Sequence, residues 1–424
     1  MALPSEFIIR SWKNIGMMLC DTKNGGMKRL GFLEFLALKK EGGLTNFQQH
    51  CAYPNEFFPI VQWAITNRCN YKCRHCFMMP GDKNSMDEPS LEQCFKLIEQ
   101  FAACGIPEIY ITGGEPLARN DFIQIVDKLI ENNIRISLIS TNGALVTDAL
   151  LCEIKKRDIH PTICVSFDGL GQHDWMRGVK GAEEASINAL TLAKKHGFGI
   201  LCEMAVHKGN VDVLLETARF MRNLGISQFK PIRVADSPRW KTSGEDNTLS
   251  CEGYYDAVLE LLREALEQSW EMDMKMVGFA YFYRYGRGVD ILPMKGCAND
   301  HGGTLLCKKA RSILFVSGDG RLLPCNPFTS IAAGREDWGN AFETPLQELL
   351  TESAYLDKVN ATLGMLKEHT KKCRDCKWLK DCQGGCRVLA YGYTGDYLEA
   401  DETKCKFFEG GYVEKIQAIL PQNK

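Results

Sequence analysis

Between residues 60 and 235 short apolar runs alternate with stretches whose apolar positions recur every three to four residues, the pattern of βα units and a parallel sheet. The apolar runs predict strands over Val61–Thr66, Glu108–Thr112, Arg135–Ser140, Thr162–Phe167, Gly199–Val206 and Gln228–Val234. Helices are predicted between them over Ser90–Ala103, Asp121–Asn132, Ala149–Lys156, Ala182–His196 and Val213–Leu224. Six such units joined by right-handed crossovers curl into a partial barrel, and chemistry in such barrels gathers at the carboxyl ends of the strands. Outside this region the pattern changes. Phe7–Trp12 and Ile15–Asp21, on either side of Lys13-Asn14, predict a hairpin, and the helix-like GFLEFLALKKEGG follows, closed by glycines. Residues 236–250 are rich in Pro, Ser and Gly and predict a loop leading into a helix over Cys251–Ser269. Beyond residue 290 periodic elements become short and cysteines frequent, which predicts a small domain held more by metal than by core.

Composition narrows the function. The 424 residues, 45% of them apolar, suffice for two or three domains. Lys+Arg 51 against Asp+Glu 53 provides no basic footprint for nucleic acid. No apolar run approaches the roughly 20 residues of a membrane span, and MALPSEFIIRSWKN lacks a signal-peptide core, so the expected compartment is the cytoplasm. In a reducing cytosol the 19 cysteines point to metal or catalysis rather than disulfides. Cys20, Cys51, Cys94, Cys104, Cys152, Cys164, Cys202 and Cys251 are scattered and suit structural roles, whereas the other eleven fall in spaced groups.

The first group, Cys69, Cys73 and Cys76 in CNYKCRHC, begins just after the first predicted strand. Three thiolates in one loop can hold three irons of a 4Fe-4S cubane and leave the fourth open. A structural zinc would want a fourth Cys or His, and His75 sits awkwardly between two ligands. Other segments reach the same face: Gly113-Gly114-Glu115-Pro116 after the second strand, Ser140-Thr141-Asn142-Gly143 at the end of the third, and Ser166-Phe167-Asp168-Gly169 at the end of the fourth. Glycines there admit a ligand close to the backbone, and the hydroxyls and acid suit a ribose, although tight turns and solvated strand ends would leave the same residues. Arg177 can pair with a carboxylate in bidentate fashion, or with a surface acid.

In that order, Cys-x3-Cys-x2-Cys, GGEP, STNG and SFDG resemble the radical S-adenosylmethionine enzymes. The resemblance implies that the open iron binds the amino and carboxylate groups of S-adenosylmethionine, whose reductive cleavage yields a 5′-deoxyadenosyl radical that abstracts hydrogen from substrate. It also implies that Gly113, Gly114 and Glu115 meet the methionyl amine, Ser166 the ribose region and Arg177 the carboxylate. His75 departs from the pattern, which places an aromatic residue before the third cysteine.

The C-terminal cysteines, Cys307, then Cys325 in GRLLPC, then Cys373-x2-Cys376-x5-Cys382-x3-Cys386, then Cys405, resemble the SPASM extension of radical enzymes that modify peptides. Zinc-ribbon pairs would show regular Cys-x2-Cys on both sides. By that resemblance two auxiliary 4Fe-4S clusters take Cys297, Cys307, Cys325 and Cys386, and Cys373, Cys376, Cys382 and Cys405, making three clusters with the barrel site. Cys297 lies outside the seven-cysteine pattern and is drawn in as the eighth ligand.

The expected architecture is therefore α/β: a small N-terminal α+β module over residues 1–58, a partial (β/α)6 TIM-like barrel over 59–240, a helical bridge over 241–290, and a cysteine-rich iron–sulfur domain over 291–424. Auxiliary clusters suit an oxidative outcome, and the expected reaction is an intramolecular carbon–carbon or thioether cross-link in a ribosomally made precursor peptide, with a flavodoxin or ferredoxin as electron donor. GMMLCDTKNGGMKRLGFLEFL is similar to the start of a leader-peptide recognition module, though only Leu44–His50 stands where that module continues in further helices. The module packs on the barrel as a lid or docks a partner. Anaerobic sulfatase maturases share both domains but carry an aspartate base where this chain has Asn326. A non-catalytic electron carrier would have no use for GGEP, SFDG or Arg177. Glu203, Arg233 and Asp236, near later strand ends, are candidates for the side chain that takes the second proton.

Overall fold

The computed structural model describes residues 58–78, 88–235, 237–243, 246–284, 288–294, 303–331 and 337–421, together with the backbone of four N-terminal strands. Those four strands, β1 (Phe7–Trp12), β2 (Gly16–Asp21), β3 (Met27–Leu30) and β4 (Phe47–Gln49), form a sheet of order β3-β2-β1-β4. β1 and β2 pair antiparallel from Phe7↔Asp21 to Trp12↔Gly16, the predicted hairpin, while β4 returns parallel to β1. The helix expected after the hairpin lies outside the described residues.

The barrel strands are β5 (Ile60–Ala64), β6 (Glu108–Thr112), β7 (Arg135–Thr141), β8 (Thr162–Ser166), β9 (Ile200–Val206) and β10 (Gln228–Arg233), neighbours in that order and all parallel. Helices Leu91–Ala103, Phe122–Glu131, Asp148–Lys156, Ala182–Lys195 and Leu214–Asn223 connect them. The first begins where Ser90 and Gln93 form a capping box, each side chain accepting the other's backbone N–H. The strands bury one face more deeply than the other. Trp63, Ile111, Ile139, Val165, Cys202 and Phe229 face the helices and are no more than 1% exposed, Trp63 packing edge-on against Phe101 of the first helix. The opposite face carries Tyr110, Ser140, Ser166, Glu203 and Lys230, all half-buried. The inward face of these strands thus carries polar side chains, unlike the apolar packed centre of a closed eight-stranded barrel.

One expectation about the flanks is corrected. The stretch 241–290 does contain the helix Cys251–Glu267, but it then adds β11 (Asp273–Met276), parallel to β10, and the antiparallel β12 (Ala280–Tyr283) and β13 (Gly288–Ile291). It is a continuation of the sheet rather than a helical bridge. On the other side β14 (Ile313–Val316) from the cysteine-rich region lies parallel to β5, and β15 (Leu322–Leu323) follows it, giving a sheet of eleven strands. The C-terminal region is bound to the barrel further by Tyr255, whose hydroxyl donates to the Thr403 carbonyl at 2.9 Å. No described helix is long and apolar enough to cross a membrane.

Candidate active site at the carboxyl end of the barrel

The loop that follows β5 is fastened before it reaches its first cysteine. Thr66 is fully buried and hydrogen-bonds Glu88 at 2.5 Å, and Arg119 donates to the carbonyls of Ile65 and Pro89 at 2.8 and 3.0 Å. The backbone of Gly114 and Glu115 then donates to Thr66 and Arg68, both at 2.8 Å. The two glycines are needed for this approach, because a Cβ on Gly113 would lie 2.6 Å from the Thr66 oxygen and one on Gly114 2.1 Å from that of Arg68. The pair therefore admits the cysteine loop's backbone, a requirement additional to the expected contact with a ligand.

Cys69, Cys73 and Cys76 emerge on one loop, with a turn closed by Cys76 N–H on the Cys73 carbonyl at 3.2 Å. Burial pushes the Cys69 thiol up to about 12 despite the Tyr71 amide, and Cys73, Glu115 and Cys76 add to the rise. Three thiols on one loop are a donor set that a cation would satisfy, and the residues fit an iron cluster.

The Glu115 carboxylate is fully buried and already engaged. Its Oε1 accepts from Leu117 N–H at 3.1 Å and the Thr141 hydroxyl at 2.9 Å, and its Oε2 from Asn142 N–H at 2.8 Å. Burial pushes it up to about 7 against the pull of these donors. Glu115 thus joins GGEP to STNG by its side chain. Asn142 continues the chain of contacts, donating to Asn70 at 2.7 Å beside Cys69.

Asp168 does not sit at the expected reach of a ribose. It is fully buried, accepts from Ala205 N–H at 3.0 Å, and stands 2.7 Å from Arg177 Nε. Burial opposes its charge, but the guanidinium overcomes that and holds the carboxyl well below the usual range. Arg177, 7% exposed, also reaches Cys73 Sγ with NH1 at 3.6 Å. The arginine expected at a carboxylate is therefore held between an aspartate and the cysteine loop. His173 is buried, which lowers its pKa, and its Nδ1 accepts the Asp168 amide at 2.8 Å. Nε2 then carries the proton toward Ser186 Oγ at 3.1 Å, and Ser186 donates to the Asn142 carbonyl at 3.1 Å. The 3.2 Å approach of Nδ1 to the Asp168 carboxylate is accordingly not an ion pair. STNG, SFDG and the helix His173–Arg177 form one hydrogen-bonded support.

Ser166 faces the half-buried interior opposite Glu203 of the next strand. Glu203 pairs with Lys230; burial resists its charge, yet the ammonium holds it below the ordinary range, which makes it a poor proton acceptor. Arg233 donates to the Leu249 carbonyl and the Tyr393 hydroxyl, each at 3.1 Å. Asp236 lies outside the described residues. Lys230 and its neighbour Lys275 were not anticipated; each stands between two buried residues of its strand, and that pattern is the signal that marks them.

The C-terminal thiols fall into two neighbourhoods. Burial raises the Cys325 thiol, and Cys386 and Cys307 raise it further; Cys386 in turn sees Cys307. Separately, burial lifts Cys373 to about 11 with Cys405 and Cys376 adding, and Cys405 to about 11 with Cys382 nearby. Cys307, Cys325 and Cys386 thus act on one another apart from Cys373, Cys376, Cys382 and Cys405, and the donor chemistry of each group fits an iron cluster. Cys297 lies outside the described residues. Of the scattered cysteines, Cys94, Cys104, Cys164, Cys202 and Cys251 are buried.

Residues 63–221 match the model of the Radical SAM superfamily. An AdoMet-dependent heme synthase from Methanosarcina barkeri is 27% identical over 367 residues, 83% of this chain and 97% of that protein. Among solved structures, Streptococcus suis SuiB bound to its precursor peptide SuiA superposes with a TM-score of 0.67 at 15% identity, covering 96% of this chain and 99% of that one. The protein anSMEcpe with bound AdoMet and a Kp18Cys peptide gives 0.64 at 18% identity, covering 85% of this chain and 98% of that one.

Proposed function

From a barrel that is a radical S-adenosylmethionine domain, in a chain that is an enzyme using that cofactor, we propose a peptide maturase that forms an intramolecular carbon–carbon or thioether cross-link in a ribosomally made precursor. The observation that carries the proposal is the N-terminal sheet. Superposition on SuiB takes in 96% of the chain, too much to leave that module out, whereas anSMEcpe stops at 85%. The sheet keeps β3 and β4 as its edges, and an edge strand captures an extended peptide by main-chain pairing. Asn326, where maturases of the sulfatase type carry an aspartate base, argues in the same direction.

When bound, the barrel cluster and S-adenosylmethionine supply a radical that takes one hydrogen atom from the substrate. The rest falls to the chain. Cys69, Cys73 and Cys76 would hold that cluster, Gly113, Gly114, Glu115 and Ser166 would border the cofactor, and Arg177 would steady both Cys73 and the cofactor's end of the barrel. Cys297, Cys307, Cys325 and Cys386, and Cys373, Cys376, Cys382 and Cys405, would hold two auxiliary clusters able to accept the electron that closing the new bond releases, the proton leaving to solvent or a nearby base. A flavodoxin or ferredoxin would deliver the first electron.

The test is anaerobic turnover of the reconstituted chain with S-adenosylmethionine, a reductant and a library of synthetic peptides. A peptide product lighter by two hydrogens, with 5′-deoxyadenosine formed alongside, supports the cross-link. A second reading, formation of a heme-type tetrapyrrole, is favoured by the heme synthase of M. barkeri, which this chain matches along 97% of that protein. Turnover of Fe-coproporphyrin III with no peptide product would replace the first reading by the second.

A further inference from the structure

One row of side chains crosses the barrel interior from the cofactor side toward the added strands. Ser166 lies opposite Glu203, and Glu203 opposite Lys230. Phe229 opposite Met274 sets Lys230 beside Lys275 one residue further on, and Lys275 faces Tyr281. The residues on either side of Lys275, Met274 and Met276, are fully buried against the outer layer, so the lysine stands on the inward face, where it is half-buried.

The charges in this row do not balance. Glu203 is taken by Lys230, their ion pair spanning adjacent strands. Lys275 makes no ion pair among the described residues, and the acid that acts on it most is that same Glu203, already engaged. Lys309, on the short helix Lys308–Ser312, adds a further positive charge to both Glu203 and Lys275. Burial, then Lys309 and Lys230, pull the Lys275 ammonium down to about 8. A half-desolvated ammonium is costly to keep without a partner, and a protein with no use for it would carry methionine or leucine there.

We infer that Lys275, with Lys230 beside it and Tyr281 across from it, is the anchor for a carboxylate of the substrate. A single compact ammonium suits a singly charged carboxylate; the row contains no arginine fork and no helix N-terminus of the kind that collects phosphates. Three strand spacings separate Ser166 from Lys275, about 14 Å along the sheet. The anchored carboxylate is therefore held away from the cofactor side and fixes which part of the substrate meets the radical. This rests on the peptide reading for the nature of the substrate, not for the existence of the anchor.

Amine footprinting tests it without turnover. The cluster-loaded full chain with S-adenosylmethionine is acetylated anaerobically at neutral pH, and Lys275 labelling is read by mass spectrometry against exposed Lys96 as the internal control. Four additions are compared: an end-blocked pentapeptide with a central Glu, its Gln counterpart, that Gln peptide with a free C-terminal carboxylate, and glutarate. Protection of Lys275 by about tenfold relative to the blocked Gln peptide is expected from an acidic arm. Protection by the Glu peptide assigns an acidic side chain, and protection by the free acid assigns a peptide terminus. Protection by glutarate alone keeps the anchor and overturns the peptide reading. Equal labelling in every arm, or equal protection by the blocked Gln peptide, overturns the anchor itself.

Discussion

Gly114→Ala is the sharpest test of how the site is built. The added Cβ would lie 2.1 Å from the Arg68 carbonyl oxygen, 2.5 Å from its carbon and 2.8 Å from the Asn67 oxygen. All three obstacles are backbone, so no side chain can rotate aside, and restoring ordinary contact requires the two segments to part by roughly 1 Å. That parting stretches the hydrogen bonds from Gly114 to Thr66 and from Glu115 to Arg68, each 2.8 Å. Arg68 immediately precedes Cys69, and metal–ligand distances tolerate only about 0.2 Å. The expected result is loss of the barrel cluster with the C-terminal thiols undisturbed. Iron in the anaerobically reconstituted protein should fall by about a third, four of roughly twelve if all three clusters load. S-adenosylmethionine cleavage should drop by at least about a hundredfold. Gly303→Ala, where a Cβ meets nothing within 4 Å, serves as the control. A Gly114→Ala protein with full iron content and an unchanged cleavage rate would show that the glycine pair does not hold the cysteine loop, and the reasoning would be wrong.

Asp168→Asn leaves the Arg177 guanidinium buried without its counter-charge, and should cost about 3–5 kcal/mol in urea unfolding of the cluster-loaded protein. A loss below about 1 kcal/mol would show that the pair is not structural. Lys275→Met should stabilise the free enzyme at neutral pH. The folded pKa of Lys275 is depressed, to about 8 from 10.5, so between those values the unfolded chain binds more protons and stability rises with pH. The lysine therefore costs stability below that window, about 1 kcal/mol after discounting for its partial exposure, and the gain from methionine should fade above it. Urea midpoints at neutral and alkaline pH measure this; a variant that is less stable at every pH refutes it. Cys325→Ala and Cys376→Ala should each remove about four irons independently of one another, and losses that coincide in the double variant would contradict two separate sites.

The six barrel strands were legible because each is a short, largely apolar run set between helical periods, and the predicted limits differ from the observed ones by one or two residues at the ends. Asp273–Met276, Ala280–Tyr283 and Gly288–Ile291 were not, because four residues between turns carry too short a period to declare themselves. Nor does anything local in Ile313–Val316 announce that it will lie parallel to Ile60–Ala64, some 250 residues earlier; that pairing is a property of the closed fold. The grouping of the C-terminal cysteines came from the family resemblance rather than from spacing, because spacing along the chain does not say which thiols meet when the ligand sets interleave.

Polar residues at strand ends were harder, because the same side chain can face a ligand or a neighbour. Glu115 and Asp168 are both fully buried, which excludes the solvent-facing role that a bare motif suggests. Each spends its carboxylate on protein donors, Glu115 on Leu117, Thr141 and Asn142, and Asp168 on Ala205 and Arg177. The consequence is mechanical. GGEP is tied to the cysteine loop by backbone and to STNG by Glu115; STNG is tied to SFDG through Ser186 and His173; and SFDG returns to the cysteine loop through Asp168, Arg177 and Cys73. These contacts close a ring around the mouth of the barrel. A site built as a ring resists displacement at any one point, so substitutions at Glu115, Asp168 or His173 should act on the cysteines even where they touch no cofactor. Lys275 stands outside that ring, and its substitution should change which substrate is held while leaving cofactor cleavage intact.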